Sequence, residues 1–298
     1  MYHGIINVYK ERGFTSHDVV AKLRGILGQK KIGHTGTLDP EAEGVLPVCL
    51  GTATKLCEFM NMQDKCYETV MLLGIVTDTQ DVWGKVLARQ QPDLQAEQVC
   101  DGIAGFVGPY AQIPPMYSAL KVKGKKLYEL ARAGVEIERS PREVCIHSIQ
   151  IHEMQLPRVR MEIVCSKGTY IRTLCHDIGQ RLGCGACMEE LVRTRTGRFT
   201  LQDSHRLEEI EQCMSAGSIR QMIYPTELFF EHYRVVRAKP EADCRLMNGN
   251  PIGAQEVSEA QTVCDPVRMY RSDGRFVGIF QYDGESRQYR PIKMFLER

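Results

Sequence analysis

Tryptophan is almost absent from the sequence: Trp83 is the only one, and aromatic residues make up 7% of the 298. No stretch approaches the ~18 consecutive apolar residues of a membrane-spanning helix. The start, MYHGIINVYKER, lacks a charged region followed by an apolar run, so no secretory signal is read there and the expected location is cytoplasmic. A GxxxxGK[ST] phosphate loop is missing, and so is a GxGxxG dinucleotide fingerprint. The net charge of +1 leaves no overall pull on a polyanion. Cysteine, in contrast, is plentiful, with twelve scattered from Cys49 to Cys264. Without an export signal they are expected to be reduced thiols used as small apolar residues. Cys184 and Cys187 form a CxxC close to His176, but no second pair stands at zinc spacing, so no metal site is expected.

A hydrophobic content of 43% can sustain a core, and the length allows one large domain or two. Charge is uneven along the chain. Seven Lys/Arg against three Glu lie between Ser118 and Arg142, and seven against four acids between Arg268 and Arg298. Such patches can track phosphates in a protein that is neutral overall, although each alone is also an ordinary solvated face.

The periodicities suggest a mixed α+β region. GIINVYK is a strand, and a helix capped by Thr15 or Ser16 follows, with Val19, Val20, Leu23 and Leu27 on one face and Gly28 at its end. A short helix over 52–60, a strand over 66–79 and a helix from Pro92 to about Phe106 come next. Two prolines and a basic run then mark an excursion ending at Gly134. Strands near 143–153 and 158–166 precede a helix capped by Thr169, a second short helix over 186–192, and helical segments at 205–214 and 217–222. From about 233 onward, short β-like runs between turns (NGNPIG, RSDGRF, YDGES) indicate a small all-β module.

Residues 31–47, KIGHTGTLDPEAEGVLP, are too broken for a helix and too small-sided for a buried strand. Gly33, Gly36 and Gly44 allow tight turns or close backbone approach, and Pro40 holds Asp39 extended. Taken alone, the loop is most simply an Asp-Pro turn. Its carboxylate could otherwise bind a metal, act as a base or attack as a nucleophile. His34, Asp39, Glu41 and Glu43 fit no metal spacing. A nucleophilic carboxylate needs a cation beside it, and Lys55, Arg172 and Arg193 are the candidates.

GHTGTLDPEAEGVLPVCLGTATK closely resembles the catalytic motif of the TruB-type tRNA pseudouridine-55 synthases. KCYETVMLLGIVTDTQDVWG, IPPMYSALKVKGKKLYELARAG, CSKGTYIRTLCHDIGQRLGCGA and LVRTRTGRF resemble that family's other blocks, in its order. The tail resembles the PUA RNA-binding domain of bacterial members, so the resemblance covers nearly the whole chain. It implies a catalytic domain over 1–231 with a mixed, largely antiparallel sheet, an RNA-gripping insertion at about 112–142, and a small all-β PUA-like barrel over 232–298. The implied activity is isomerisation of the T-loop uridine at position 55 of tRNA. Asp39 is then the catalytic aspartate, Arg172 pairs with it, and Tyr67 packs on the flipped uracil. His34 fills the space the base leaves, Leu191 lines the pocket, and Lys10 and Lys55 lie near the site. Lys121 and Lys125 of the insertion are expected to touch RNA.

The implied partner is the T arm of tRNA, with no membrane, no cofactor, no metal and no obligate protein partner, the chain acting as a monomer. The sequence departs from the family's usual pattern at Glu11 (commonly proline), Glu43 (a small hydroxyl residue), Cys187 (histidine) and Val192 (arginine). A tRNA-binding chaperone without catalysis would use the same basic segments but would not need both Asp39 and Arg172. An RNA-guided relative working in a complex, or a hydrolase using Asp39, are further alternatives. Which atom Asp39 acts on is left open.

Overall fold

The computed structural model describes residues 1–122, 124–258 and 265–296; Lys123, Cys264 and Arg298, counted above, lie outside the described residues. In chain order, β1 (Gly4–Lys10) leads to α1 (Ser16–Leu27), and β2 (Ile32–His34) and β3 (Glu43–Leu50) flank the Asp39 loop. A 3-10 turn (Gly51–Leu56) and α2 (Cys57–Asn61) precede β4 (Lys65–Leu73) and the hairpin of β5 (Ile75–Thr77) and β6 (Val86–Arg89). Then come α3 (Ala96–Ala104), β7 (Gly108–Gln112), the small hairpin of β8 (Lys121–Val122) and β9 (Lys125–Lys126), and α4 (Leu127–Arg132). The long pair β10 (Arg142–Gln155) and β11 (Arg158–Cys165) is followed by α5 (Ile171–Arg181), β12 (Ala186–Thr196), β13 (Phe199–Thr200) and α6 (Leu207–Ser215). The tail comprises β14 (Arg234–Arg237), α7 (Asp243–Met247), β15 (Ile252–Gly253), β16 (Pro266–Tyr270), β17 (Phe276–Asp283) and β18 (Gln288–Met294).

A nine-stranded sheet runs β1-β3-β12-β4-β11-β10-β7, with β2 on β3 and β13 on β12. Only the β12–β3 pair is parallel. Helix α1 starts where its sequence dictates. The Thr15 hydroxyl accepts from the Asp18 N–H at 3.1 Å while Asp18 accepts from the Thr15 N–H at 2.8 Å, a reciprocal capping box. Its apolar face buries Val19, Val20, Leu23 and Leu27 against Ile6, Val8, Leu46 and Val48 of β1 and β3. Helix α5 covers the other part of the sheet, packing Ile171, Leu174, Cys175 and Ile178 on Met71, Met161, Ile163 and Met188.

Three local expectations are corrected. Residues 186–192 are not a helix but part of β12, between β3 and β4. The Met-Glu-Glu-Leu run favours a helix locally, but Cys187, Met188, Leu191 and Arg193 are all buried in the middle of the sheet, and that burial overrides propensity. Pro92 does not open α3, which begins at Ala96 behind the Gln95 cap; it instead packs where Gly74 has no side chain. Thr169 does not cap α5. Its hydroxyl donates to the Ser166 carbonyl at 2.9 Å, and the Gln112 side chain accepts from the Tyr170 N–H at 2.7 Å. Gln112 thereby ties the root of the 112–142 excursion to the helix start.

The tail forms its own five-stranded sheet, β14-β16-β17-β18-β15, around Val236, Leu246, Val267, Phe280 and Tyr289. It is joined to the large sheet by an aromatic cluster in which Phe230 meets Phe59, Tyr233, Phe276 and Phe295.

One contact positions the Asp39 loop against the sheet. Gly44 has φ +107°, and a Cβ there would stand 2.3 Å from the Arg193 carbonyl oxygen of β12. Neither the backbone angle nor the space admits a side chain. Gly44→Ala should therefore lower stability by about 2–4 kcal/mol, read as a lower urea midpoint with an unchanged slope.

Candidate active site

The loop between β2 and β3 is fixed from several sides. Leu38 is buried, and its N–H donates to the Ser16 hydroxyl at 2.9 Å. The Pro40 carbonyl accepts from the Gly13 N–H at 2.9 Å and from Lys10 Nζ at 3.1 Å. The Gly36 carbonyl accepts from Arg193 Nη2 at 3.2 Å, and a backbone turn closes from the Ala42 N–H to the Asp39 carbonyl at 3.1 Å. Asp39 thus stands on a bend whose backbone is tied down on both sides.

Its partner comes from α5. Arg172 Nε lies 2.9 Å from Asp39 Oδ2, and Nη2 donates to Oδ1 at 3.1 Å, a fork-on-carboxylate pair. The remaining N–H groups are also used. Nη2 donates to the Tyr117 carbonyl at 2.8 Å, Nη1 donates to the Thr79 carbonyl at 2.9 Å, and Asp81 Oδ2 stands 3.8 Å from Nη1. The Arg172 side chain is 5% exposed and that of Asp39 39%, so the cation is sealed while the carboxylate keeps an open face. That face looks into a cavity of about 600 Å³. Tyr67 and Leu191 line the cavity, and so do Lys65, Arg142, Lys167 and Arg193, against a single second acid, Glu143.

Tyr67 sits on β4 opposite Ile163 and Arg193. Burial pushes its phenol up to about 12, against the opposing pull of the Arg193 guanidinium. Arg193 is fully buried; its Nε donates to the Val45 carbonyl at 2.8 Å, and burial pulls it below the usual arginine range. Lys65 closes the end of α2 by donating to the Asn61 and Gln63 carbonyls at 2.7 and 2.5 Å, and burial lowers it to about 8. The cavity therefore offers the open Asp39 carboxylate, the Tyr67, Tyr117 and Tyr170 rings, apolar walls and several cations. It suits a flat ring bearing a polyanionic chain.

The comparisons agree with this arrangement. A family model described as TruB family pseudouridylate synthase (N terminal domain) matches residues 24–171. A second, described as tRNA pseudouridylate synthase B C-terminal domain, matches residues 172–231. A protein of Lachnoclostridium phytofermentans named tRNA pseudouridine synthase B is 51% identical, over 99% of this chain and 100% of that one. The chain belongs to the TruB family. A Clostridium tetani protein with the same name is 43% identical, over 99% of this chain and 100% of that one. Among solved structures, a Cbf5-Nop10-Gar1 complex aligns with a TM-score of 0.73 and 27% identity, over 99% of this chain and 86% of that one. An H/ACA RNP bound to a substrate RNA containing 2'-deoxyuridine aligns with a TM-score of 0.72 and 25% identity, over 99% and 86%.

The remaining residues carried over from the TruB family stand in different places. Lys10 is buried beneath the loop and lowered to about 8 by burial, with Asp39, Glu43 and Glu41 opposing. It braces the loop and does not line the cavity. Lys55 lies outside the lining; its Nζ donates to the Met294 carbonyl of the tail at 2.7 Å. Lys121 and Lys125 are exposed on the β8–β9 hairpin, while residues 117–120 of the same excursion form a wall of the cavity. His34 is also outside the lining, edge-on to His17 with ring centroids 5.3 Å apart.

Sequence reasoning missed Asp81. Its carboxylate accepts from the Thr79 hydroxyl at 2.6 Å and the Trp83 N–H at 3.2 Å, and it faces Arg172. The turn residues around it were the only signal. Burial pushes its carboxyl up, against the Thr79 hydrogen bond and Arg172.

Burial, with His17 and Arg193 nearby, lowers His34 to about 4 from 6.5. Below pH 6.5 the unfolded chain binds a proton that the folded chain refuses, so stability falls from there to about pH 4. The loss should reach about 3 kcal/mol. Urea melts at several pH values should show a shallower acid loss in His34→Gln than in wild type.

Proposed function

We propose that the chain is a tRNA pseudouridine synthase that isomerises the T-loop uridine at position 55. The observation that carries this reading is the ion pair of Arg172 with an Asp39 carboxylate open to a cation-lined cavity. Uridine isomerisation breaks the glycosidic bond, turns the uracil and joins carbon 5 to the ribose, with no net oxidation or phosphate transfer. What this requires of a protein is a positioned carboxylate, a surface for the extruded base and a grip on the backbone. Asp39 supplies the first, held in direction by Arg172. Tyr67 and Leu191 supply a flat and an apolar wall, stacking being worth roughly 1–3 kcal/mol per base. Arg142 and Lys167 supply positive charge for phosphates.

A base inside a folded arm must leave its stack, at a cost of a few kcal/mol. His34, on the strand beside the loop and neutral at physiological pH, is suited to occupy the vacated space. In this reading residues 1–231 carry the chemistry, the 112–142 insertion closes over the T arm with Lys121 and Lys125 toward RNA, and residues 232–298 form a PUA-like module that grips the acceptor region. Identity of 51% to a tRNA pseudouridine synthase B, against 27% to the Cbf5 complex, supports an enzyme that works as a monomer without obligate protein partners. No helix among the described residues is long and apolar enough to cross a membrane, in keeping with a cytoplasmic enzyme.

The test is pseudouridine formation in an unmodified T-arm stem-loop, read by mass spectrometry after carbodiimide labelling, with EDTA present. Wild type should give product and Asp39→Asn none. Arg172→Lys, which keeps the charge but loses the fork, should lower kcat roughly a hundredfold or more with the fold intact by circular dichroism. Tight tRNA binding by wild type with no product would favour the chaperone reading instead.

A further inference from the structure

Trp83 takes no part in the chemistry above, yet its placement is unusual for the chain's single indole. It lies on the turn between β5 and β6 with 45% of its surface in solvent. An indole left this open forgoes much of the stabilisation that burial would give. The turn beneath it is rigid. Thr77 Oγ1 donates to the Asp81 carbonyl at 2.6 Å, Thr79 Oγ1 donates to Asp81 Oδ1 at 2.6 Å, and the Trp83 N–H donates to the same carboxylate oxygen at 3.2 Å. Gly84 allows this closure, since a Cβ there would meet the Thr79 hydroxyl at 2.1 Å and the Asp78 carboxylate at 2.5 Å. The same turn presents the Thr79 carbonyl and the Asp81 carboxylate to Arg172. Trp83 is therefore coupled through one short turn to the catalytic ion pair.

Against the indole stands Arg12, its guanidinium carbon 5.9 Å from the ring centroid and its side chain 49% exposed. Arg12 precedes Gly13, whose N–H donates to the Pro40 carbonyl at 2.9 Å, and its Nη2 lies 4.0 Å from Glu43 Oε2. The ring is thus linked to the Asp39–Arg172 pair through Asp81, and the cation through Gly13 and Pro40.

We propose that Trp83, backed by Arg12, is a stacking platform for a nucleobase adjacent to the one that enters the Asp39 cavity, and so a specificity-determining residue for the RNA. The inference rests on the proposed function. An exposed π-face beside a guanidinium fits a base and its phosphate, the combination by which single-stranded nucleic acid is held. The guanidinium over the ring, itself able to meet a phosphate, favours a base over an apolar protein segment.

Because Trp83 is the only tryptophan, its emission reports on this one position. The titration uses full-length Asp39→Asn, so that the T-arm stem-loop stays unreacted, with filter retention of the same RNA run in parallel. Emission should be quenched in step with retention. In the otherwise wild-type enzyme, Trp83→Ala should raise KM about tenfold with kcat within about twofold. Trp83→Phe should restore most of the KM. Trp83→Leu, apolar but unable to stack, should not restore it, whereas a purely structural role would be rescued by leucine. Unchanged emission at full RNA retention, or a wild-type KM in Trp83→Ala, overturns the platform and leaves the proposed function standing. Absence of RNA retention overturns both.

Discussion

The Arg172 guanidinium is the junction on which the site depends. One planar cation is shared by the Asp39 loop, the Thr79–Asp81 turn and the Tyr117 carbonyl of the excursion. The groups it joins lie between 55 and 133 residues away in the sequence. A buried arginine with unsatisfied N–H groups would cost several kcal/mol, so each of these segments is held closed by the need to satisfy it. Correct closure of the fold and correct aiming of Asp39 are the same event. Two acceptors are main-chain carbonyls, which no side-chain substitution removes; what such substitutions can disturb is the geometry around them.

Burial is distributed unequally across the site, and that inequality is useful. Arg172 and Arg193 are sealed and Asp39 is open. Fixed positive charge beneath an accessible carboxylate stabilises negative charge that stays or develops at the cavity floor without rearrangement of solvent. Arg193 acts at one remove: it braces Gly36 of the Asp39 loop and Val45 of β3, and faces Tyr67 across the strand pair. Lys10 does the same from below through Pro40. Arg193 and Lys10 therefore serve the carboxylate mainly by holding the backbone that carries it.

How much of this was legible in the sequence follows from where the information resides. Asp39, Tyr67, Arg172 and Leu191 were found because they lie in blocks whose residue identities are distinctive, and the structure gathers all four around one cavity. Helix α1 was legible because its cap, its apolar period and its terminal Gly28 agree. Strand β12 was not, because its local propensity points to a helix and only the neighbouring strands decide otherwise. Asp81 was missed, since its importance depends on which arginine the turn meets in space. Lys55 illustrates the same limit: the resemblance placed it near the site, and the structure turns it to the tail.

That contact bears on how the two parts of the chain are held together. Lys55 follows the Asp39 loop by a single strand, and its Nζ reaches the last tail strand at Met294. Around it, Phe230, Phe276 and Phe295 pack against the end of the large sheet through Ile5, Val45 and Cys49. Val45 is also the residue whose carbonyl accepts from Arg193. An aromatic interface of this kind resists sliding, because rotation would expose several rings at once. These contacts hold the tail against the sheet that carries Asp39. On the proposed function, a tail that also held RNA would set a fixed spacing between its own contact and the base at the cavity, and selection of one uridine would then follow from that spacing.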